Sequence, residues 1–105
     1  MRIIAISTLR NYWTEHRLAE QSLKSWIQET EKSNWKNSAE LKSKFRNASI
    51  INSKRVVFNI RGNDYRLIVD VEYRLKIIFM VWIGAHTEYD KIHVKTIAYG
   101  KTNKK

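Results

Sequence analysis

The sequence predicts an α+β fold in which two to three helices pack on a small antiparallel β-sheet. Two patterns carry this reading. From Leu9 to Phe45 apolar residues recur at intervals of three and four, the period of helices with one buried face. From Arg55 onward they alternate instead, and the alternation is broken by Arg61-Gly62-Asn63-Asp64, where Gly and Asn tolerate the positive φ of a tight reversal. Four Trp, five Tyr and three Phe in 105 residues are enough for one core and not for two. Residues 1–97 therefore read as a single domain, and 98–105 as a basic tail expected to be flexible.

Taken in order, Arg2 to Ile6 reads as a short strand, with Ser7 or Thr8 placed to cap the helix that follows. Leu9, Tyr12, Trp13 and His16 share one face of that helix. The spacing makes Trp13 core, and His16 a helix-end or satisfied core residue rather than a ligand. His16-Arg17 is the expected joint to a second helix starting near Leu18, whose buried side holds Ala19, Leu23, Trp26, Ile27 and Thr30. Trp35 interrupts a polar joint and is expected to plug the space between helix and sheet. Ser38 is the expected cap of a third, short helix with Leu41 and Phe45 inside. Asn47 to Asn52 is a linker with Ile50 and Ile51 tucked in.

The hairpin occupies 55–68, and its alternation runs on to Val71. Val56, Phe58 and Ile60 alternate with Arg55, Val57 and Asn59, and Tyr65, Leu67, Val69 and Val71 alternate with Arg66, Ile68 and Asp70. One face is free to carry a polar cluster while the other packs a core. Glu72-Tyr73-Arg74 makes a second turn into a third strand, Leu75 to Ile83, with Leu75, Ile77, Phe79, Val81 and Ile83 on one side and Ile78, Met80 and Trp82 on the other. Gly84 is expected to end it. Ala85 to Lys91 is a short helix or loop, and Ile92, Val94, Ile97 and Tyr99 trail into the tail.

Charge narrows the function. Residues 1–40 hold six basic and five acidic side chains, whereas residues 41–105 hold fourteen and five. An excess of this size, concentrated around and beyond the hairpin, points to a polyanionic partner, nucleic acid first among them. The chain has no cysteine, which excludes disulfides and thiolate metal sites and agrees with a cytoplasmic location. The apolar start is too short for a secretion signal or a membrane span. Phosphate loops, nucleophile elbows and zinc spacings are absent from the sequence. His86 and His93 with Asp90 or Glu88 have no spacing typical of a metal site, and a basic surface repels cations. No metal or cofactor is expected.

What remains is a polar group at strand ends and adjoining loops: Asn59, Arg61, Asn63, Arg66, His86, Tyr89 and Lys91. A short connection pairs the third strand with the second and brings His86 toward the hairpin. Such residues suit metal-independent RNA cleavage, in which a ribose 2′-hydroxyl attacks the adjacent phosphorus while an acid/base group moves protons and cations balance charge. They serve equally a non-catalytic RNA- or DNA-binding module. A third role, as a structural subunit for an acidic protein, needs only the charge. Taken singly, each residue also has an ordinary explanation, such as an Arg66 ion pair with Asp70 or Glu72.

Three blocks bear a specific resemblance: Asn34-Trp35-Lys36-Asn37, the hairpin at 55–68, and Ile-Gly-Ala-His-Thr-Glu-Tyr-Asp-Lys-Ile at 83–92. In order and spacing they resemble the HigB family of bacterial toxins, messenger-RNA interferases of the RelE superfamily. The resemblance implies a RelE-like fold and metal-free endonuclease activity on mRNA during translation on the ribosome. It also implies a HigA-type helix-turn-helix antitoxin, with operator DNA bound only through the toxin–antitoxin complex. By position, Arg66 would hold the scissile phosphate and His86 would serve as acid/base, with Tyr89 and Lys91 completing the catalytic set. Asn59, Arg61 and Asn63, with Lys54 and Arg55 at the hairpin's entry, are the expected RNA contacts. Ala85 and Thr87 replace the usual residues around the histidine, and Ser38 a common proline. Val57 and Asn59 stand where RelE-type toxins have a lysine pair, so the general base does not carry over, and its assignment to His86 is an inference.

Overall fold

The computed structural model describes residues 1–98, so Tyr99 and nearly all of the expected tail at 98–105 lie outside the described residues. In chain order the elements are β1 (Arg2–Ile4), α1 (Ser7–Glu15), a 3-10 turn (Arg17–Ala19), α2 (Glu20–Lys32), α3 (Ser38–Lys44), β2 (Ser49–Ile50), β3 (Arg55–Ile60), β4 (Tyr65–Glu72), β5 (Ile77–Ala85) and α4 (His86–Tyr89). The five strands form one sheet in the order β1-β5-β4-β3-β2. The α+β class holds, with one qualification: β1 runs parallel to β5, while every other pair is antiparallel.

Alternation along the hairpin sorts its side chains onto two faces. Val56, Phe58, Ile60, Leu67, Val69 and Val71 join Leu9, Leu23, Trp26 and Leu41 from the helices in the main core. Phe58 is its centre, edge-on to Trp26 at 5.3 Å and to Phe45 at 5.0 Å between ring centroids. Trp35 is buried, as a plug would be, and stands edge-on to Phe45. Trp13 is partly buried against this core. The opposite face is also covered. Val57, Ile68 and Val81 form a smaller cluster under Tyr89, Ile92, Val94 and Ile97, so the segment after α4 lies across the sheet as a second layer.

Several local expectations are corrected. Ser7 and Thr8 do not cap α1. Ile6 occupies that position, and the Thr8 and Leu9 N–H groups donate to the Ala5 and Ile6 carbonyls in a turn made possible by a positive φ at Ala5. Asn37, not Ser38, caps α3: its extended backbone lets Oδ1 accept from Glu40 N at 3.0 Å, while Glu40 Oε1 accepts from Lys36 N at 2.9 Å. Ser49–Ile50 is a short strand, and Ile50 is exposed rather than tucked in.

The third strand differs most. Leu75 is exposed in the turn before it, and Gly84 lies within β5 rather than ending it. A β-bulge sets Ile68 opposite Trp82 but Val69 opposite Met80, leaving Val81 as the extra residue. Val81 and Trp82 consequently both join the second-face cluster, while Ile83 returns to the main core. A strict period of two cannot produce that arrangement.

Candidate functional site

The β3–β4 hairpin has Ile60 opposite Tyr65, with Arg61 to Asp64 as its loop. Arg61 and Gly62 adopt positive φ values of 54° and 64°, whereas the sequence placed that conformation on Gly62 and Asn63. At the same end of the sheet β5 finishes against β4, Tyr65 facing Ala85 and Arg66 facing Gly84. The chain enters α4 there, and the His86 N–H donates to the Asp64 carbonyl at 3.0 Å. His86 is thus tied by its backbone to the hairpin loop, the proximity that the short connections imply.

Arg66 projects on the second face. Its Nη1 donates to the Asn63 carbonyl at 3.0 Å and the Tyr65 carbonyl at 3.3 Å, and its guanidinium carbon lies 5.8 Å from the Tyr89 ring centroid. Among the described residues no carboxylate pairs with it, so the ordinary explanation through Asp70 or Glu72 does not apply. Asp70 is engaged by Arg55, through Nε at 2.7 Å and Nη2 at 2.8 Å. The remaining Arg55 nitrogen, Nη1, donates to the Val94 and Ile97 carbonyls at 3.1 and 2.6 Å. Hydrogen bonding to Asp70 raises the Arg55 pKa against the opposing effect of burial. Arg55 is 9% exposed and clamps the C-terminal segment onto the sheet. Its guanidinium is occupied within the protein, which removes it from the group presented at the hairpin end.

The other expected residues divide. His86 and Lys91 are exposed and Tyr89 is half-buried; of the three, Tyr89 is the one whose side chain meets Arg66. Asn63 sits in the exposed loop and contributes its carbonyl to Arg66. Arg61 is exposed and ion-paired to Asp64, a contact weak enough in water to exchange for a phosphate. Asn59 faces Arg66 across the strand pair. It also borders, with Arg61, an open cleft of about 330 Å³ against α2, walled by Gln21, Ser25, Trp26 and Glu29. Lys54 is exposed at the far end of β3, away from the loop.

The glycine at 84 has a steric reason. A Cβ there would collide with the Trp82 ring and approach Glu88 Oε1 at 2.9 Å. Trp82 therefore lies over the Gly84 backbone, 6.4 Å from Tyr89 between ring centroids, and builds the floor beside Arg66. Glu88 turns back so that Oε1 accepts from the Ala85 N–H at 2.9 Å, which fixes the start of α4.

Two residues of the α1 face, Tyr12 and His16, also reach this end. Tyr12 meets Tyr65 edge-on at 5.9 Å, and His16 stacks on Tyr12 at 4.0 Å. Burial, then the Glu88 carboxylate, then Tyr65 push the Tyr12 phenol up to about 12. The only signal in sequence was the i, i+4 spacing of Tyr12 and His16 at a helix end. Nothing there says that this end meets the hairpin. Among the described residues no three His, Cys, Asp or Glu side chains converge as a metal site would require, and no helix is long and apolar enough to cross a membrane.

The comparison with known families bears on this geometry. The model for HigB_toxin, the RelE-like toxic component of a toxin–antitoxin system, matches residues 19–92. No curated protein matches the chain.

Proposed function

The chain belongs to the HigB family of RelE-like toxic components of toxin–antitoxin systems, and from that membership we infer that it is an endoribonuclease that cuts messenger RNA on the ribosome without a metal. An antitoxin partner comes with the family. In this reading it is a HigA-type helix-turn-helix protein that silences the toxin and carries it to operator DNA. The net charge of +10 suits a protein that works on RNA.

The observation that carries the reading is the Arg66 guanidinium, without a carboxylate partner among the described residues and set over Tyr89 beside the strand end that leads into His86. A phosphate arriving there finds a planar double donor with no anion to displace. Arg66 neutralises the non-bridging oxygens, and Tyr89 keeps it aimed. His86 takes the proton from the 2′-hydroxyl as the O2′–P bond forms. The P–O5′ bond then breaks, and Lys91 returns a proton to the departing 5′-oxygen. The products are a 2′,3′-cyclic phosphate and a 5′-hydroxyl, with no water or metal consumed. Asn59, Arg61, Asn63 and Lys54 hold the RNA on either side.

Induced expression in bacteria, with growth and mRNA ends followed together, tests this. The wild type is expected to arrest growth and cut translated messages, and co-expression of the cognate antitoxin to restore growth. Arg66→Ala and His86→Ala are expected to do neither. Arrest with RNA retained on the protein but uncut would replace the nuclease by a binding module.

A further inference from the structure

We propose that His16, seated on Tyr12, is a nucleobase shelf: its outer face takes an amino-bearing purine next to the phosphate held at Arg66 and His86. The proposal deepens the ribonuclease reading and rests on it. His16 and Tyr12 lie outside the 19–92 span of the family match, so membership assigns them no role.

The shelf follows from how α1 ends. His16 is the C-cap, its backbone N–H donating to the Tyr12 carbonyl at 2.9 Å while its φ of −128° leaves the helix. The imidazole folds back onto Tyr12, centroids 4.0 Å apart and planes 29° from parallel. Tyr12 is itself half-buried and braced at 84° by Tyr65. Tyr65 carries the stacked pair to the end of β4: it pairs with Ala85, the residue before His86, and the next residue, Arg66, turns to the other face of the sheet. His16 is exposed, and among the described residues its imidazole has no hydrogen-bond partner. One ring face is thus committed to Tyr12 and the other is open.

Charge selects a base over a phosphate here. Glu88, after burial, helps raise the Tyr12 phenol, so a carboxylate lies at this end of the sheet, where it disfavours a phosphate and favours the exocyclic amine of a base. Stacking on an aromatic face tolerates any base but is strongest for the larger purines. The RNA then bends around the end of the sheet, with phosphate on the Arg66 side and base on the α1 side.

The test is a map of cut sites, by rate and flanking nucleotide, on ribosomes carrying mRNA, for wild type, His16→Ala and His16→Phe, each checked for an unchanged melting temperature. His16→Ala is expected to slow cutting about tenfold at purine-flanked sites and by less than about twofold at pyrimidine-flanked ones, with His16→Phe restoring the preference. An unchanged map for His16→Ala overturns the shelf and leaves the nuclease standing, because the wild type still cuts. A uniform loss that His16→Phe does not restore also overturns it. If the wild type cuts nothing, the ribonuclease reading falls and the shelf with it.

Discussion

The guanidinium carbon of Arg66 lies 5.8 Å from the centroid of the Tyr89 ring, so β4 and α4 meet through a cation–π contact on the second face of the sheet. Such a contact contributes about 0.5–1 kcal/mol at a partly exposed site, too little to hold the fold but enough to aim one side chain. Tyr89→Phe keeps the ring and is expected to retain most activity. Tyr89→Ala is expected to lower kcat about a hundredfold with KM changed much less, since a misplaced charge costs the transition state more than binding. Single-turnover cleavage by the two variants checks this. Equal losses would make the phenol itself a proton donor.

Arg55 and Asp70 form the clamp that holds the C-terminal layer. Asp70→Asn or Arg55→Ala leaves a partly buried charge or polar group without its partner, at about 3 kcal/mol. Urea unfolding should show that loss. Hydrogen exchange should show residues 92–97 opening first, because the Val94 and Ile97 carbonyls lose their donor.

That clamp marks the boundary of what the sequence could reveal. The hairpin, its four-residue loop and the burial of Phe58 and Trp26 follow from spacing alone, because period and turn chemistry are local. The nearness of His86 to the hairpin also follows, from a short connection. Arg55 reads in sequence as one more basic residue at a hairpin entry, and only the register that sets it opposite Asp70 makes it structural. The bulge at Val81 is invisible for a related reason. An uninterrupted apolar run leaves no signal of where parity changes. Tyr12 and His16 were legible as a helix face, but that the face ends at the hairpin depends on long-range packing.

Gly84 tests the floor of the site. Gly84→Ala forces the Trp82 ring to move, and overpacking of this kind typically costs about 1–3 kcal/mol. Near-ultraviolet circular dichroism should report the displaced indole, and cleavage should fall with it because Trp82 lies beside Tyr89. A Gly84→Ala protein with unchanged spectrum and stability would contradict the close approach.

Tyr12 gives a pH dependence with a defined sign. Its phenol titrates near 12 rather than at its ordinary 10.0 in the folded chain, so the folded state binds the proton more tightly. The neutral phenol's contribution is fully present below pH 10 and is lost as the pH rises toward 12. The difference in absorbance at 295 nm between wild type and Tyr12→Phe isolates this one group. Glu88→Gln removes a repelling charge and should bring the titration back toward the ordinary value; no movement would mean that burial and Tyr65 raise it without Glu88.

The ends of the cut RNA test the mechanism most directly. Ribosomes are programmed with a message that carries a 2′-deoxynucleotide on the 5′ side of one mapped cut, with neighbouring sites left as RNA. Attack by the 2′-hydroxyl predicts no cut at the deoxy position, and 2′,3′-cyclic phosphate and 5′-hydroxyl ends everywhere else. Arg66→Ala should reduce the single-turnover rate at least about a hundredfold. Cleavage through the deoxy position, or ends bearing a 3′-hydroxyl and a 5′-phosphate, would contradict the account.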